Sequence, residues 1–163
     1  MTILSIASEG DEILSQEMEH FDMDSPPYPT TLLFPEMREA MMRIGQMVLA
    51  APQCGLPYNM FVMGSPLDAS SIVGIFNPQI VDTFGENVAF TEEDPCHIDL
   101  ELKIIRPEGI RVRYTTHEGV TDTIKFAGVT ARLFQHGYDS LLGISYTDRV
   151  SDLTYKNAIK KRA

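Results

Sequence analysis

The stretch Phe134-Gln135-His136-Gly137-Tyr138-Asp139-Ser140-Leu141-Leu142-Gly143 decides how this chain is read. A helix that holds a hydrolytic metal through the pattern His-Glu-x-x-His sets two imidazoles at i and i+4 on one face, with a general-base carboxylate beside the first. Here His136 stands alone. The carboxylate position holds Gly137 and the second imidazole position holds Ser140. The helical pattern around them is otherwise intact. Val129, Leu133 and His136 share a face in a helix expected over Ala127 to Leu142, and Gly143 stops it.

Outward from that helix, 163 residues with 44% hydrophobic content suit one globular domain with a core of its own. A formal net charge of −10 argues against a general nucleic-acid surface and against DNA, because phosphate binding needs clustered Lys and Arg. The exception is the end of the chain, where Lys156, Lys160, Lys161 and Arg162 occur with no acid among them. Residues 151–163 therefore read as a short basic tail after a domain at 1–150, either solvated or in contact with RNA or another anionic surface. Cys54 and Cys96 cannot make a disulfide framework, and neither a signal-peptide pattern nor a long apolar run is present, so a cytoplasmic protein with no membrane span is expected.

In order, a short apolar run from Met1 to Ala7 precedes an acidic segment, Glu9 to Asp24, and Ser25-Pro26-Pro27-Tyr28-Pro29 ends whatever comes before it. Phe34-Pro35-Glu36 is expected to open a helix running to about Gln46, with Pro35 in its first turn. Asn59 to Gly64 and Ile72 to Phe76 read as strands, the second closed by Asn77-Pro78 and resuming over Gln79 to Asp82. Phe84-Gly85-Glu86-Asn87 reads as a hairpin turn leading to an acidic loop, Glu92-Glu93-Asp94, and to Pro95-Cys96-His97. Arg106-Pro107 is expected to break an extended run, Ile110 to Tyr114 alternates like a half-buried strand, and His117-Glu118-Gly119 turns into Val120 to Phe126. His117-Glu118 lacks a histidine four residues on and is set aside as a zinc motif.

Three loci in order, Leu49-Ala50-Ala51-Pro52-Gln53-x-Gly55, the loop bearing Cys96, and Ala131-Arg132-x-x-Gln135-His136-x-x-Asp139 with Leu141-x-Gly143, resemble the three motifs of the peptide deformylases. Asn77-Pro78, Arg106-Pro107-x-x-Ile110-x-Val112-x-Tyr114 and Asp148-Arg149 also resemble the family at its spacing. The resemblance implies an α+β fold, with antiparallel strands around a central helix carrying the metal histidines. It also implies removal of the formyl group from the initiator Met of nascent peptides by an Fe(II) or Zn(II) ion held by one Cys and two His.

Carried over residue by residue, the resemblance makes Cys96 and His136 metal ligands and Ser140 the position of a missing third ligand. Gly137 becomes the position of the missing catalytic glutamate. Gln53 matches the oxyanion glutamine, and Leu49, Gln53 and His97 fall at substrate-binding positions, His97 through its backbone N–H. Gln46 and Val48 stand where two glycines usually precede Leu49.

Loss of a general base costs about a hundredfold to ten-thousandfold in rate, and a hydroxyl is a far poorer ligand than imidazole. The expectation is a deformylase-like protein that is inactive or severely impaired, with no metal or a weakly bound divalent ion. A mid-helix Gly is about 1 kcal/mol worse than Ala, so Gly137 reads as relaxation after lost function. Two alternatives stay open. One is an active enzyme with a rebuilt site, using Cys96, His136 and either His97 or Asp139, with Glu92, Glu93 or Asp94 as base. The other is a noncatalytic module binding formyl-Met peptides, or the ribosome through the basic tail.

Overall fold

A computed structural model describes residues 2–162, so Met1 of the opening apolar run and Ala163 of the tail lie outside the described residues. Five strands form one antiparallel sheet in chain order: β1 (Val48–Ala50), β2 (Met60–Met63), β3 (Val73–Asp94), β4 (His97–Thr116) and β5 (Thr121–Ala127). Three helices accompany it: α1 (Thr30–Ile44), α2 (Gly128–Leu141) and α3 (Asp152–Lys160). This is the expected α+β architecture. Among the described residues no helix is long and apolar enough to cross a membrane.

Successive strand residues point to opposite faces, and β1 and β2 are buried on both. Met60 and Val62 of β2 pack with Leu49 and with Leu33, Met37 and Met41 of α1. Phe61 and Met63 pack on the other side with Val48, Ala50 and with Ala131, Phe134 and Leu141 of α2. The sheet is thus covered by α1 on one face and by α2 on the other. That explains why β1 and β2 read as continuous apolar runs.

The long β3–β4 hairpin departs most from expectation. Phe84 to Asn87 does not turn the chain. Pairing passes from Phe84↔Gly109 to Asn87↔Pro107 with a register shift, a bulge at which Gly85 takes φ 78°. Asn77 (φ 50°) marks another irregularity within the same strand, held by Phe21 N–H donating to Asn77 Oδ1 at 2.7 Å and Asn77 Nδ2 donating to Phe21 O at 2.8 Å. Pro107 does not break β4 either, because it lies opposite the bulge, where a ladder donor can be spared. The real turn is at Pro95-Cys96, between the paired Asp94 and His97, so Glu92 and Asp94 belong to a strand end rather than a loop. The turn at His117-Glu118-Gly119 into β5 is as expected.

The first helix begins four residues before Phe34, so Pro35 lies inside it rather than in its first turn. In α2 the buried face is centred on Phe134 and includes Ala131, Gln135, His136, Gly137, Asp139 and Leu141. Val129 is exposed and Leu133 half-buried; with His136 they border a groove rather than the core. Residues 152–160 form a helix that packs on β4. Ser151 accepts from Thr154 N–H to cap α3, and Tyr155, Ala158 and Ile159 cover Leu100, Leu102, Ile104 and Tyr146. Lys156, Lys160 and Lys161 remain exposed.

Candidate functional site

Four pieces of backbone converge at the hairpin tip. The helical turn Ala51–Cys54 after β1 brings Gln53, the end of β3 brings Glu92 and Asp94, the turn brings Cys96 and His97, and α2 brings His136. The N-terminal run closes over them, with Ala7 N–H donating to Gln53 O at 2.7 Å.

His136 is buried between two carboxylates. Its Nδ1 lies 3.0 Å from Glu92 Oε1 and its Nε2 lies 3.1 Å from Asp94 Oδ2. A carboxylate only accepts, so both ring nitrogens carry hydrogens and the ring is an imidazolium. Burial alone would lower the pKa of this ring, but hydrogen bonds to Asp94 and Glu92 outweigh it and raise it to about 9. Burial likewise pushes Glu92 up, and hydrogen bonds from His136 and Arg106 bring it down to about 2. Asp94 follows the same balance: burial raises it, and hydrogen bonds from His136 and His97 hold it well below the ordinary carboxylate range. Neither acid is a base near neutral pH.

The remaining polar groups are engaged as well. Gln53 Oε1 accepts from Ala50 N–H at 2.9 Å and its Nε2 donates to Asp94 Oδ2 at 2.9 Å. Asp94 Oδ1 accepts from Cys96 N–H at 2.8 Å and faces His97 Nδ1 at 3.4 Å. The Cys96 Sγ lies 3.8 Å from Gln53 O, and burial, with the charge of Asp94 adding, pushes its thiol far up, so it is not a thiolate. Ser140 Oγ turns back to His136 O at 3.2 Å. The Leu49 side chain is fully buried in the core.

A buried ion-pair web carries this cluster. Arg106 grips Glu92 with Nε (2.7 Å) and Nη2 (2.9 Å) and reaches Asp139 Oδ2 with Nη1 (2.9 Å). Arg132 donates to Glu92 Oε2 at 2.6 Å and to Val88 O at 2.6 Å. Arg149 donates to both Asp139 oxygens, at 2.9 and 2.5 Å. Asp139 is therefore a scaffold acid directed at two guanidinium groups. The sequence places Arg106, Arg132, Asp139 and Arg149 within recognisable motifs, but only the fold shows that Glu92 is shared by Arg106, Arg132 and His136 while Asp139 is shared by Arg106 and Arg149.

Gly137 has a packing reason. A Cβ there would lie 2.8 Å from two ring carbons of Phe61, a fully buried side chain. The expectation of a relaxed, purposeless glycine is corrected accordingly: the place where a general-base carboxylate would leave the helix is filled by an aromatic ring.

Beside His136 lies a groove of about 610 Å³ lined by Met47, Val48, Val88, Phe90, Val129 and Leu133 among others. It reaches Val48 at the start of β1, a strand that pairs on one side only.

A sequence model of the family described as Polypeptide deformylase matches residues 3–156. The chain belongs to the peptide deformylase family. Peptide deformylase of Christiangramia forsetii is 31% identical to it over 174 aligned positions, covering 98% of this chain and 87% of the relative. That of Picosynechococcus sp. is 30% identical over 157, covering 94% and 82%. Among solved structures, the deformylase of Synechococcus elongatus in complex with actinonin superposes with a TM-score of 0.88 at 26% identity, covering 98% of this chain and 85% of that one. The Legionella pneumophila deformylase gives 0.89 at 25%, covering 98% and 93%.

The family's divalent metal does not fit the side chains present in this deformylase-family chain. Among the described residues no group of three or more His, Cys, Asp or Glu is arranged to hold an ion. The Cys96 Sγ is directed at Gln53 O, both imidazole nitrogens are engaged by carboxylates, and the remaining ligand position carries a hydroxyl bonded to backbone.

Proposed function

We propose that this protein keeps the deformylase scaffold and its peptide groove without metal-dependent removal of formyl groups, and that it works in the cytoplasm as a binding module for apolar N-terminal peptides. The observation that carries this reading is the closure of position 137 by Phe61. It leaves no path for a carboxylate from that turn of α2, while Glu92 and Asp94 are held ionised and fully hydrogen-bonded. A general base needs a free lone pair within reach of the attacking water. The open edge of β1 beside an apolar groove suits an extended peptide added as a further strand, with backbone hydrogen bonds for affinity and the groove for one side chain.

The test combines turnover and binding on the purified protein. With Fe(II) or Zn(II) supplied, formate should be released from formyl-Met-Ala-Ser no faster than in a protein-free control, while calorimetry detects binding of the peptide. Replacing Met47 or Val129 in the groove by Asp should abolish that binding. Turnover that disappears in Cys96→Ala would overturn the non-hydrolytic reading.

A further inference from the structure

We propose that the Asp94 carboxylate takes the place of a metal ion at this site, fastening the hairpin tip to α2 and to the turn after β1 and keeping cations out. This role rests on the non-hydrolytic reading above and goes beyond it by naming what replaces the ion.

Asp94 stands at the point where the donors meet. Its Oδ2 is 3.1 Å from His136 Nε2 and 2.9 Å from Gln53 Nε2, and its Oδ1 is 2.8 Å from Cys96 N and 3.4 Å from His97 Nδ1. These groups belong to α2, to residues 51–54 and to the hairpin turn. A tetrahedral ion tying Cys and His ligands would link the hairpin turn to α2 by direct coordination. Here one carboxylate links them by hydrogen bonds.

The spacing along β3 makes this possible. Glu92 and Asp94 are two residues apart, a separation of about 7 Å along a strand, and the register shift between them leaves both side chains facing the same ring. An imidazole with a hydrogen bond at each end spans that gap, so Glu92 and Asp94 grip His136 from both sides. Arg106 and Arg132 hold Glu92 in turn, which fixes the ring against rotation. A cation seeking His136 Nε2 must first displace Asp94, and restoring an imidazole at position 140 would not by itself remove that obstacle.

Four proteins separate the possibilities: wild type, Ser140→His, Asp94→Asn, and Asp94→Asn with Ser140→His. Asp94→Ala serves as a second replacement at that position, because the asparagine amide turns a donor toward donors. Cobalt(II) chloride is the probe, read by bound metal after desalting and by the near-ultraviolet thiolate-to-cobalt absorption. Wild type and Ser140→His should retain less than about a tenth of an equivalent, whereas the Ser140→His protein that also lacks the Asp94 carboxylate should retain about one and gain the absorption band. That band should vanish when Cys96→Ser is added. In EDTA the wild-type Tm should not move, and Asp94→Asn should lower it by about 5 °C or more.

Stoichiometric cobalt on Ser140→His with Asp94 in place would overturn the exclusion. Equal, low cobalt on Ser140→His with and without either Asp94 replacement would overturn it too. An unchanged Tm in Asp94→Asn would remove the fastening role. None of these outcomes depends on whether the wild-type protein turns over formyl peptide, so either idea can fail without the other.

Discussion

Gly137→Ala isolates the packing that closes the position of the catalytic base. The added methyl meets Phe61 ring carbons at 2.8, 2.8 and 3.0 Å, well inside ordinary van der Waals contact. Phe61 cannot swing aside, being fully buried and edge-on to Phe134 at 5.1 Å and 80°. Overpacking of this kind costs about 1–3 kcal/mol. Against it stands the gain of about 1 kcal/mol from replacing a mid-helix glycine by alanine. The expected net effect is destabilisation of up to about 2 kcal/mol, where an unobstructed helix position would be stabilised.

The assay is urea unfolding, with midpoint and slope compared for Gly137→Ala, Phe61→Leu and the double variant. The smaller side chain should relieve the clash, so the double variant should be more stable than additivity allows by about 1 kcal/mol, within the range seen for touching residues. A Gly137→Ala protein stabilised by about 1 kcal/mol, or a coupling of zero, would show that Phe61 does not dictate the glycine. For the same reason Gly137→Glu with Ser140→His is expected to fold poorly unless Phe61 is also reduced.

Two further outcomes follow from the ion pairs and from the turn before β5. Arg106→Met removes three bonds to Glu92 and Asp139, both buried, leaving Glu92 with Arg132 and His136 and Asp139 with Arg149, and should cost about 3 kcal/mol in urea unfolding, the low end for a broken buried pair; Arg106→Lys should recover only part of it, since an ammonium cannot make the two parallel bonds to Glu92. His117 accepts from Gly74 N–H at 3.1 Å through Nδ1 and stacks on Phe34 at 3.7 Å, and burial holds its pKa below the ordinary value, with Glu118 opposing the shift and Arg38 adding to it. The native state therefore binds fewer protons here than the unfolded chain. The stability that His117 contributes is fully present above its unfolded pKa of about 6.5 and is lost as pH falls toward the depressed folded value. Unfolding free energies measured between pH 7.5 and 5 should fall less steeply in His117→Gln, and an unchanged slope would rule this contribution out.

Legibility in the sequence followed the range of the interaction. The apolar periods behind the helices expected from Phe34 to Gln46 and from Ala127 to Leu142, and the Gly-containing turn at Gly119, are local signals, and each has an element at or near the expected place. Gly85 and Pro107 carry the same local chemistry as true breakers. They sit in mid-strand because each offsets the other across the β3–β4 pair, and no window along the chain contains both. The helix start was misplaced for a related reason: the residues before Pro35 show their helical face only when Leu33 and Phe34 meet the sheet and the β4–β5 turn.

By itself the sequence determined the family, the α+β class, and the fact that position 137 carries no base and position 140 no imidazole. These are matters of which residue stands at which place in a motif. Only the tertiary structure decided what the altered residues do. Glu92 and Asp94 read as loop acids, whereas the end of β3 holds them on both sides of His136. Gly137 read as a loss until Phe61, 76 positions earlier in the chain, was found against it. Such contacts join residues far apart in sequence through packing and low-dielectric electrostatics, and neither is encoded in local spacing.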